Sequence, residues 1–336
     1  MGIKFLRNGF VAAGVLLVCL LSLFPACTKT TVTVPVVTSS SLIAVIVKNG
    51  SNLTLLDSAL HKSGLFSTLD SAAPPYFTLF APPDAAFATA GFTDSTIYKD
   101  SVPYLRRLML YHMIISLNNG LTTSEFPQGT DVPVATASPG DTIYITVNGN
   151  GAFVNGNLLT QTNIVASNGI IHAVQNVLFP ANGTILNTLN NISLTDTTIT
   201  FFLNALNYAS AGSVNLDSLL GGGGSYAGNV YSVFVPTNNA FRSYFGDTTT
   251  INFSSFSPDS LVTLLTRHIV NGRVFSSDFA AGSGIPSLYG VDSVDFSISL
   301  PNVLVQNGDS TFANVITTNI LATNGVIHKI DQVLVP

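Results

Sequence analysis

The stretch NIVASNGIIHAVQNVLFP at residues 163–180 returns at residues 319–336 as NILATNGVIHKIDQVLVP. Every matched position is separated by the same number of residues (324 − 168 = 156), from the first asparagine to the last proline. This period is far longer than the roughly 20–50 residues of a solenoid unit, so each copy can have its own hydrophobic core. The sequence therefore predicts two copies of one domain.

Two further blocks repeat in the same order. FAPPDAAF at residues 80–87 is matched by FVPTNNAF at 234–241, and LRRLMLYH at 105–112 is matched by LVTLLTRH at 261–268. Three ordered blocks at nearly constant spacing indicate a tandem duplication. We place the two domains at residues 41–180 and 185–336 and expect each to fold separately.

The amino-acid composition argues against some classes of binding partner. Apolar residues make up 46% of the chain and charged residues only 9%, with a formal net charge of −5. A typical soluble domain has about 25% charged residues, and nucleic-acid binding needs clustered Lys and Arg. A neutral surface rich in hydroxyl and amide groups is typical of an exported protein, and no nucleic-acid partner is predicted.

The N-terminal segment has the pattern of a secretory signal peptide over residues 1–26. Lys4 and Arg7 precede an apolar run from Val11 to Leu21, and a small residue stands just before Cys27. This order of basic, apolar and small residues is typical of a cleaved leader. The run is short for a transmembrane helix, which needs about 20 apolar residues.

Cys27 is the predicted lipidation site. The other cysteine, Cys19, lies inside the apolar run and would leave with the leader. The segment resembles the lipobox of a Bacteroidetes-like surface lipoprotein, although Phe24 and Pro25 replace its usual Leu and small residue. We therefore expect a lipidated N-terminus and tether at residues 27–40 and a lipid anchor in the cell envelope, at the outer membrane. Plain secretion and an uncleaved anchor helix are the alternatives.

Hydrophobic spacing predicts both helices and strands within each copy. The region from Leu42 to Leu60 has helical spacing, and strands are expected at Tyr76–Phe80 and Val230–Phe234. Asp84 in the first copy, and Thr237 or Asn238 in the second, can cap the short helix that follows each strand. Asn168-Gly169 and Asn324-Gly325 predict hairpins with a type I′ turn, which needs positive φ at both residues.

A histidine continues an apolar helix face in each copy. Leu261, Leu264, Leu265 and His268 stand at positions i, i+3, i+4 and i+7, and the first copy repeats this spacing up to His112. Such a ring is expected to lie against the core with at least one nitrogen bonded inside the domain.

The repeated blocks resemble the signatures of the fasciclin domain family. The resemblance implies an α+β fold: two tandem β-wedge or sandwich domains with packed helices. The matching residues, for which a structural role is expected, are Phe80, Pro82, Asp84, Phe87, Tyr111, His112, Asn168, Gly169, His172, Phe234, Pro236, Asn238, Phe241, His268, Asn324, Gly325 and His328. Pro83, Asn238 and Arg267 depart from the usual family residues Thr, Asp and Tyr.

The sequence contains no recognisable catalytic or metal-binding constellation. It has no His-x-x-x-His, His-Glu-x-x-His or Cys-x-x-Cys spacing. Glu125 is its single glutamate, which excludes a paired-glutamate glycosidase site and leaves a pair of aspartates as the open alternative. No cofactor, metal or catalytic residue is predicted, and the chain is not expected to be an enzyme.

The resemblance implies cell adhesion. We expect a lipid-anchored envelope protein that presents two fasciclin-like domains to a protein or polysaccharide partner at the cell surface. The alternative is a structural or spacer protein without a specific ligand, and an enzyme comes third. Binding surfaces are expected in loops where the copies differ, such as 118–130 and 219–229.

Overall fold

The computed structural model describes residues 41–246, 250–280, 282–290, 292–299, 302–306 and 312–335. The predicted signal peptide, Cys27 and the tether lie outside the described residues. Among the described residues, no helix combines the length and the apolar character needed to cross a membrane.

Helices and strands alternate in blocks within each copy. The first copy contains α1 (Ile43–Asn49), α2 (Thr54–Lys62), α3 (Phe66–Leu69), β1 (Tyr76–Ala81), α4 (Asp84–Thr89), α5 (Asp94–Lys99), α6 (Val102–Tyr111), β2 (Met113–Ser116), β3 (Val132–Ala135), β4 (Thr142–Asn148), β5 (Gly151–Val154), β6 (Asn157–Ala166) and β7 (Gly169–Val174). The second contains α7 (Ile185–Ser193), α8 (Thr200–Ala209), α9 (Leu216–Leu220), β8 (Tyr231–Pro236), α10 (Asn238–Phe245), α11 (Pro258–Thr266), β9 (Ile269–Asn271), β10 (Gly284–Pro286), β11 (Ser293–Ser299), β12 (Asn302–Gln306), β13 (Ala313–Ala322) and β14 (Gly325–Ile330).

The two copies have the same sheet topology. The strand order is β2-β1-β7-β6-β5-β4-β3 in the first copy and β10-β11-β12-β13-β14-β8-β9 in the second, which is the same order read from the opposite edge. In each copy the first strand runs parallel to the last, β1 beside β7 and β8 beside β14, and every other pairing is antiparallel. The predicted α+β class is confirmed.

Each copy buries two clusters of apolar side chains. One lies between the helices and the sheet, and the other contains Phe80, Ile143, Val154 and Val174 in the first copy. These four residues come from β1, β4, β5 and β7, which are not all neighbours in the sheet, so the sheet must curl over itself. This is the wedge or sandwich that the family resemblance implies.

The N-terminal helical region predicted from residue spacing is present as two helices. The region from Leu42 to Leu60 contains α1 and α2, and α1 ends at Gly50, which leaves the helical conformation. The second copy likewise begins with α7 before α8. The separate folding of 41–180 and 185–336 stays a prediction.

The hairpin between β6 and β7 is present, but the prediction of its turn was wrong. Ala166 pairs with Gly169, so Ser167 and Asn168 form the two-residue turn and Gly169 begins the strand. Asn168 does not have the positive φ that a type I′ turn at Asn168-Gly169 would need. The second copy has the same register, with Ala322 opposite Gly325.

The two glycines are needed for the close approach of parallel strands. A Cβ atom on Gly169 would overlap the carbonyl oxygen of Phe77 in β1, and one on Gly325 would overlap the carbonyl oxygen of Tyr231 in β8. A larger residue would force the first strand away from the last. The Asn-Gly pair therefore marks a hairpin, but its glycine is required by the neighbouring parallel strand and not by the turn.

We predict that Gly325→Ala destabilises the protein by about 3 kcal/mol, because the overlap is with backbone, which cannot rotate away. Gly149→Ala is the matched control, since nothing lies within 4 Å of its added Cβ. It should change the free energy of unfolding by less than about 0.5 kcal/mol. Urea unfolding of both variants measures the difference, and equal stabilities would contradict the close-approach role.

Candidate functional site

The turn asparagine of each hairpin fastens the start of the domain to its end. The Asn168 carboxamide oxygen accepts a hydrogen bond from the backbone N–H of Ile43, at 2.9 Å, which is the first residue of α1. Its Nδ2 donates to the carbonyl oxygens of Leu69 and Ser71, at 2.7 and 2.9 Å. A helix N-terminus has unpaired N–H groups, so this side chain acts as a cap from a distant part of the chain.

Asn324 repeats this arrangement in the second copy. Its carboxamide oxygen accepts from the backbone N–H of Ile185 at 2.7 Å, and its Nδ2 donates to the carbonyl oxygen of Leu220 at 3.0 Å. Ile185 is the first residue of α7. The same residue type therefore closes both domains in the same way.

Asp84 and Asn238 bind a neighbouring helix and do not cap their own. The Asp84 carboxylate accepts from the backbone N–H of Leu55 at 2.8 Å and from the Thr54 hydroxyl at 2.7 Å, both in the first turn of α2. Asn238 accepts from the N–H of Phe201 in α8 at 2.9 Å. The prediction that Asp84 caps α4 was wrong, because Pro83 occupies the cap position and makes no side-chain bond.

The cap of α10 matches one of the two predicted residues. The Thr237 hydroxyl accepts from the N–H of Ala240 at 3.2 Å. With Thr237 in that role, Asn238 is free to reach the start of α8. Its Nδ2 also donates to the hydroxyl of Thr200, the first residue of α8, and to the carbonyl oxygen of Thr197 in the turn before it.

The central histidine of each copy connects a helix to the C-terminal segment of its domain. His268 is fully buried, its Nδ1 lies 3.0 Å from the carbonyl oxygen of Leu264, and its Nε2 accepts from the N–H of Leu334 at 2.8 Å. A ring with this pair of partners carries its proton on Nδ1. His112 is buried in the same way, with the same two kinds of bond at 2.8 and 2.9 Å.

The histidine of the last strand holds a loop against the sheet. His328 is fully buried, and its Nε2 lies 2.8 Å from the carbonyl oxygen of Val274 while its Nδ1 accepts from the N–H of Asn319. His172 makes the equivalent bonds to Leu121 and Asn163. Both nitrogens of all four rings are bonded inside the fold.

Burial keeps these rings neutral. Removal from water lowers the pKa of His112, His268 and His328 to about 4, and the bond from each ring to a carbonyl oxygen offsets only part of this. Burial also lowers the pKa of His172. A neutral imidazole without access to solvent is poorly placed to act as a general base on an external substrate.

The remaining motif residues fill the core and the strand ends. Tyr111 donates a hydrogen bond from its hydroxyl to the carbonyl oxygen of Thr142 at 3.0 Å and accepts one from Asn155 at 2.8 Å. In the second copy Arg267 replaces this tyrosine, pairs with Asp292 and lies over the ring of Tyr289. The motif residues with fully buried side chains or buried strand-end positions are Phe80, Pro82, Phe87, Phe234, Pro236 and Phe241.

Within the described ranges, no group of three or more His, Cys, Asp or Glu residues lies close enough together to hold a metal ion. The sequence-predicted motif residues therefore do not converge on one reactive centre. They are distributed over two domains, each bonded to its own fold.

The two copies contact each other through a small polar and aromatic interface. Arg273 of the second copy lies over the ring of Tyr144 of the first, 4.2 Å from its centroid, and Phe275 approaches the same ring. Asp131 and Asp278 meet across this contact. Burial, with the neighbouring carboxyl, raises the pKa of Asp131, and burial raises that of Asp278, so the pair can share a proton.

Beside this interface a cleft of about 710 Å³ opens between the copies. Its first wall includes Tyr104 and Arg107 of α6 and the segment from Asn176 to Pro180, and its second wall is the stretch 316–321 of β13. Tyr104, Phe179 and Ile316 are 45%, 44% and 52% exposed. Sequence reasoning missed this cleft because each wall comes from a different copy. Neither of the loops 118–130 and 219–229 lines it.

We predict that His268→Ala lowers stability through an unsatisfied N–H at Leu334 and a cavity. The expected cost is about 1–3 kcal/mol for the unpaired group, with a further term for the lost volume. His61→Ala is the control, because the His61 side chain is 48% exposed. Thermal unfolding measures both. A His268→Ala protein that melts with the wild type would contradict the structural role.

We also predict that the protein loses stability as pH falls from about 6.5 towards 4. Unfolded histidines bind protons near pH 6.5, whereas the buried rings of His112, His268 and His328 do so only near pH 4. The unfolded state therefore binds more protons in this window, which costs roughly 3 kcal/mol per ring by pH 4. The stabilising contribution of the three neutral rings to the free energy of unfolding is fully present above pH 6.5.

Urea unfolding at pH 7 and pH 4.5 measures this loss for the wild type and for His268→Ala. Other acidic groups titrate equally in both proteins, so the difference between the two pH slopes isolates one ring. The free energy of unfolding should depend less steeply on pH in the variant, by an amount that corresponds to the uptake of about one proton. Identical slopes would mean that the ring is protonated in the folded state.

Comparisons with known proteins agree with the duplicated architecture. The family model described as Fasciclin domain matches residues 51–180 and 199–336, which is more than half of the chain. The chain is 29% identical to transforming growth factor-beta-induced protein ig-h3 of Sus scrofa over 267 residues, covering 78% of this chain and 35% of the relative. It is 35% identical to Protein sll1483 of Synechocystis sp. over 106 residues, covering 32% of this chain and 55% of the relative.

The chain thus spans about a third of the length of its mammalian relative. Among solved structures, it is similar to a FAS1 domain pair from the insect cell adhesion molecule Fasciclin I, with 17% identity and a TM-score of 0.39, covering 84% of this chain and 96% of that one. The family match over both repeats decides the assignment. The chain belongs to the fasciclin domain family and carries two fasciclin domains in tandem.

Proposed function

We propose that this protein is a non-enzymatic adhesion protein of the cell envelope, which presents two fasciclin domains to a protein or polysaccharide partner. The observation that carries the proposal is that the motif residues have structural roles inside the two domains. Their polar groups bond inside the domains, so they support the fold, and contact with a partner falls to the outer surface. The insect relative is itself described as a cell adhesion molecule.

Attachment to the membrane through Cys27 is part of the same proposal. It rests on the basic and apolar leader and on the position of the cysteine after a small residue. Acyl chains on this residue would hold the domains at the outer membrane, on its periplasmic or outward face, behind a tether of about 14 residues that extends up to roughly 45 Å.

We predict that Cys27→Ser stops acyl labelling, releases the protein to the soluble fraction and abolishes its contribution to cell retention on surfaces coated with envelope polysaccharide or protein. Without a lipid anchor, the domains no longer connect the cell to the coated surface. Labelled fatty acid, fractionation and a retention assay under flow measure the three effects in cells that express the full chain.

The outcomes separate the alternatives. Unchanged membrane fractionation together with an intact leader would replace the lipid anchor with an uncleaved helix. Release of the protein with no change in cell retention would contradict adhesion and favour a spacer role.

A further inference from the structure

We propose that the cleft between the two domains binds an uncharged oligosaccharide, such as a short stretch of a neutral polysaccharide. This inference rests on the proposed adhesive function and names the partner class. The cleft volume of about 710 Å³ lies within the range of roughly 300–1,000 Å³ that small-molecule sites occupy. It can therefore enclose several sugar units of a longer chain.

The polar lining suits hydroxyl groups and consists mostly of uncharged side chains. Asn157, Asn176 and Asn182 line the cleft, and a carboxamide both donates and accepts hydrogen bonds, as a sugar hydroxyl does. Arg107 is the lining residue with a formal charge. Among the described residues that line the cleft, none carries a carboxylate.

The charge of Arg107 is already compensated. Its Nε and Nη2 donate to the two carboxylate oxygens of Asp141 at 2.9 and 2.8 Å, and Nη2 also donates to the carbonyl oxygen of Ala181 at 3.0 Å. A bidentate pair of this kind is strong and fixed in orientation. An anionic ligand would therefore gain little here, which favours a neutral one.

One part of the amide lining is held in place before any ligand arrives. Asn157 donates through Nδ2 to the carbonyl oxygens of Val154 and Asn155, at 3.3 and 3.0 Å. Its oxygen accepts from Nδ2 of Asn176 at 2.9 Å. Groups that are already ordered lose less conformational entropy on binding.

Aromatic rings supply the apolar part of the site. The Phe179 ring is 44% exposed and stacks on the buried Phe92, with centroids 6.3 Å apart and an interplanar angle of 14°. Tyr104 is 45% exposed on the same wall. A sugar ring has an apolar C–H face as well as hydroxyl groups, so it can pack on such a ring while its hydroxyls meet the amides.

The second copy provides an internal comparison. The equivalent depression has a volume of about 450 Å³ and is lined by Tyr244, Asp331, Gln332 and Val335. Val335 stands at the position of Phe179, and Gln332 at that of Asn176. Tyr244 supplies an aromatic ring, but the ring at the position of Phe179 is missing, a carboxylate is present, and the lining residues all belong to the second copy. In the part of the chain that the structure describes, the proposed site therefore occurs once, where β13 faces the first domain.

The test uses the purified full chain in detergent and isothermal titration with neutral hexasaccharides (cello-, malto-, xylo- and mannohexaose) and with an acidic alginate hexasaccharide. Tyr104→Ala and Asn176→Ala alter the cleft. Tyr208→Ala, on an equally exposed tyrosine outside it, and Gln332→Ala, at the equivalent position of the second copy, are the matched controls.

We expect at least one neutral hexasaccharide to bind with little dependence on salt. Each cleft variant should weaken that binding at least tenfold, and each control by less than twofold, with unchanged melting temperatures. The proposal is overturned if no neutral hexasaccharide binds at millimolar concentration, if cleft and control variants bind alike, or if only alginate binds in a salt-sensitive way.

The cell-retention assay distinguishes failure of this inference from failure of adhesion. If both cleft variants still support cell retention, the cleft assignment is wrong and the adhesive function stands. If they lose retention on a protein-coated surface while no sugar binds, the cleft belongs to a protein partner. If every variant, Cys27→Ser included, keeps full cell retention, the adhesive function itself is rejected.

Discussion

The close parallel contact between the first and last strands is the constraint on which each domain depends. Gly169 and Gly325 allow it, because any side chain at these positions would meet the carbonyl oxygen of the partner strand. The asparagine that precedes each glycine then reaches the N-terminus of the first helix. Two adjacent residues in the same hairpin therefore fix both the sheet and the helical layer, which explains why they recur together.

Four buried histidines add further hydrogen bonds between distant segments of each domain. Each ring donates one hydrogen bond to a carbonyl oxygen and accepts one from a backbone N–H group, and these two partners are far apart in the chain. It can make both bonds only while the ring is neutral. A lysine would carry a charge, and a leucine would leave both partners unbonded. A buried neutral imidazole offers one donor and one acceptor at a fixed separation, which matches this pair of partners.

The sequence predicted much of the fold and little of the candidate binding site. The repeat, the helical stripe ending at His268 and the strand that precedes Pro236 could be read because periodicity and turn residues are local signals. The turn at Asn168 and the cap at Asp84 were misassigned because both side chains act on elements distant in sequence. The cleft combines Tyr104 with residues more than 200 positions away, and a comparison of the two copies contains no signal of where they touch.

The hydrogen bonds that join the start of the first domain to its final hairpin also have a mechanical consequence. The backbone N–H of Ser167 donates to the carbonyl oxygen of Ser41 at 2.9 Å, beside the bond between Asn168 and Ile43. Tension applied to the chain at residue 41 is therefore transmitted directly to the final hairpin of the domain, and not first to its small helices. Because the two strands of that hairpin lie in the middle of the sheet, the load passes into the central strands and is shared with their neighbours β1 and β5.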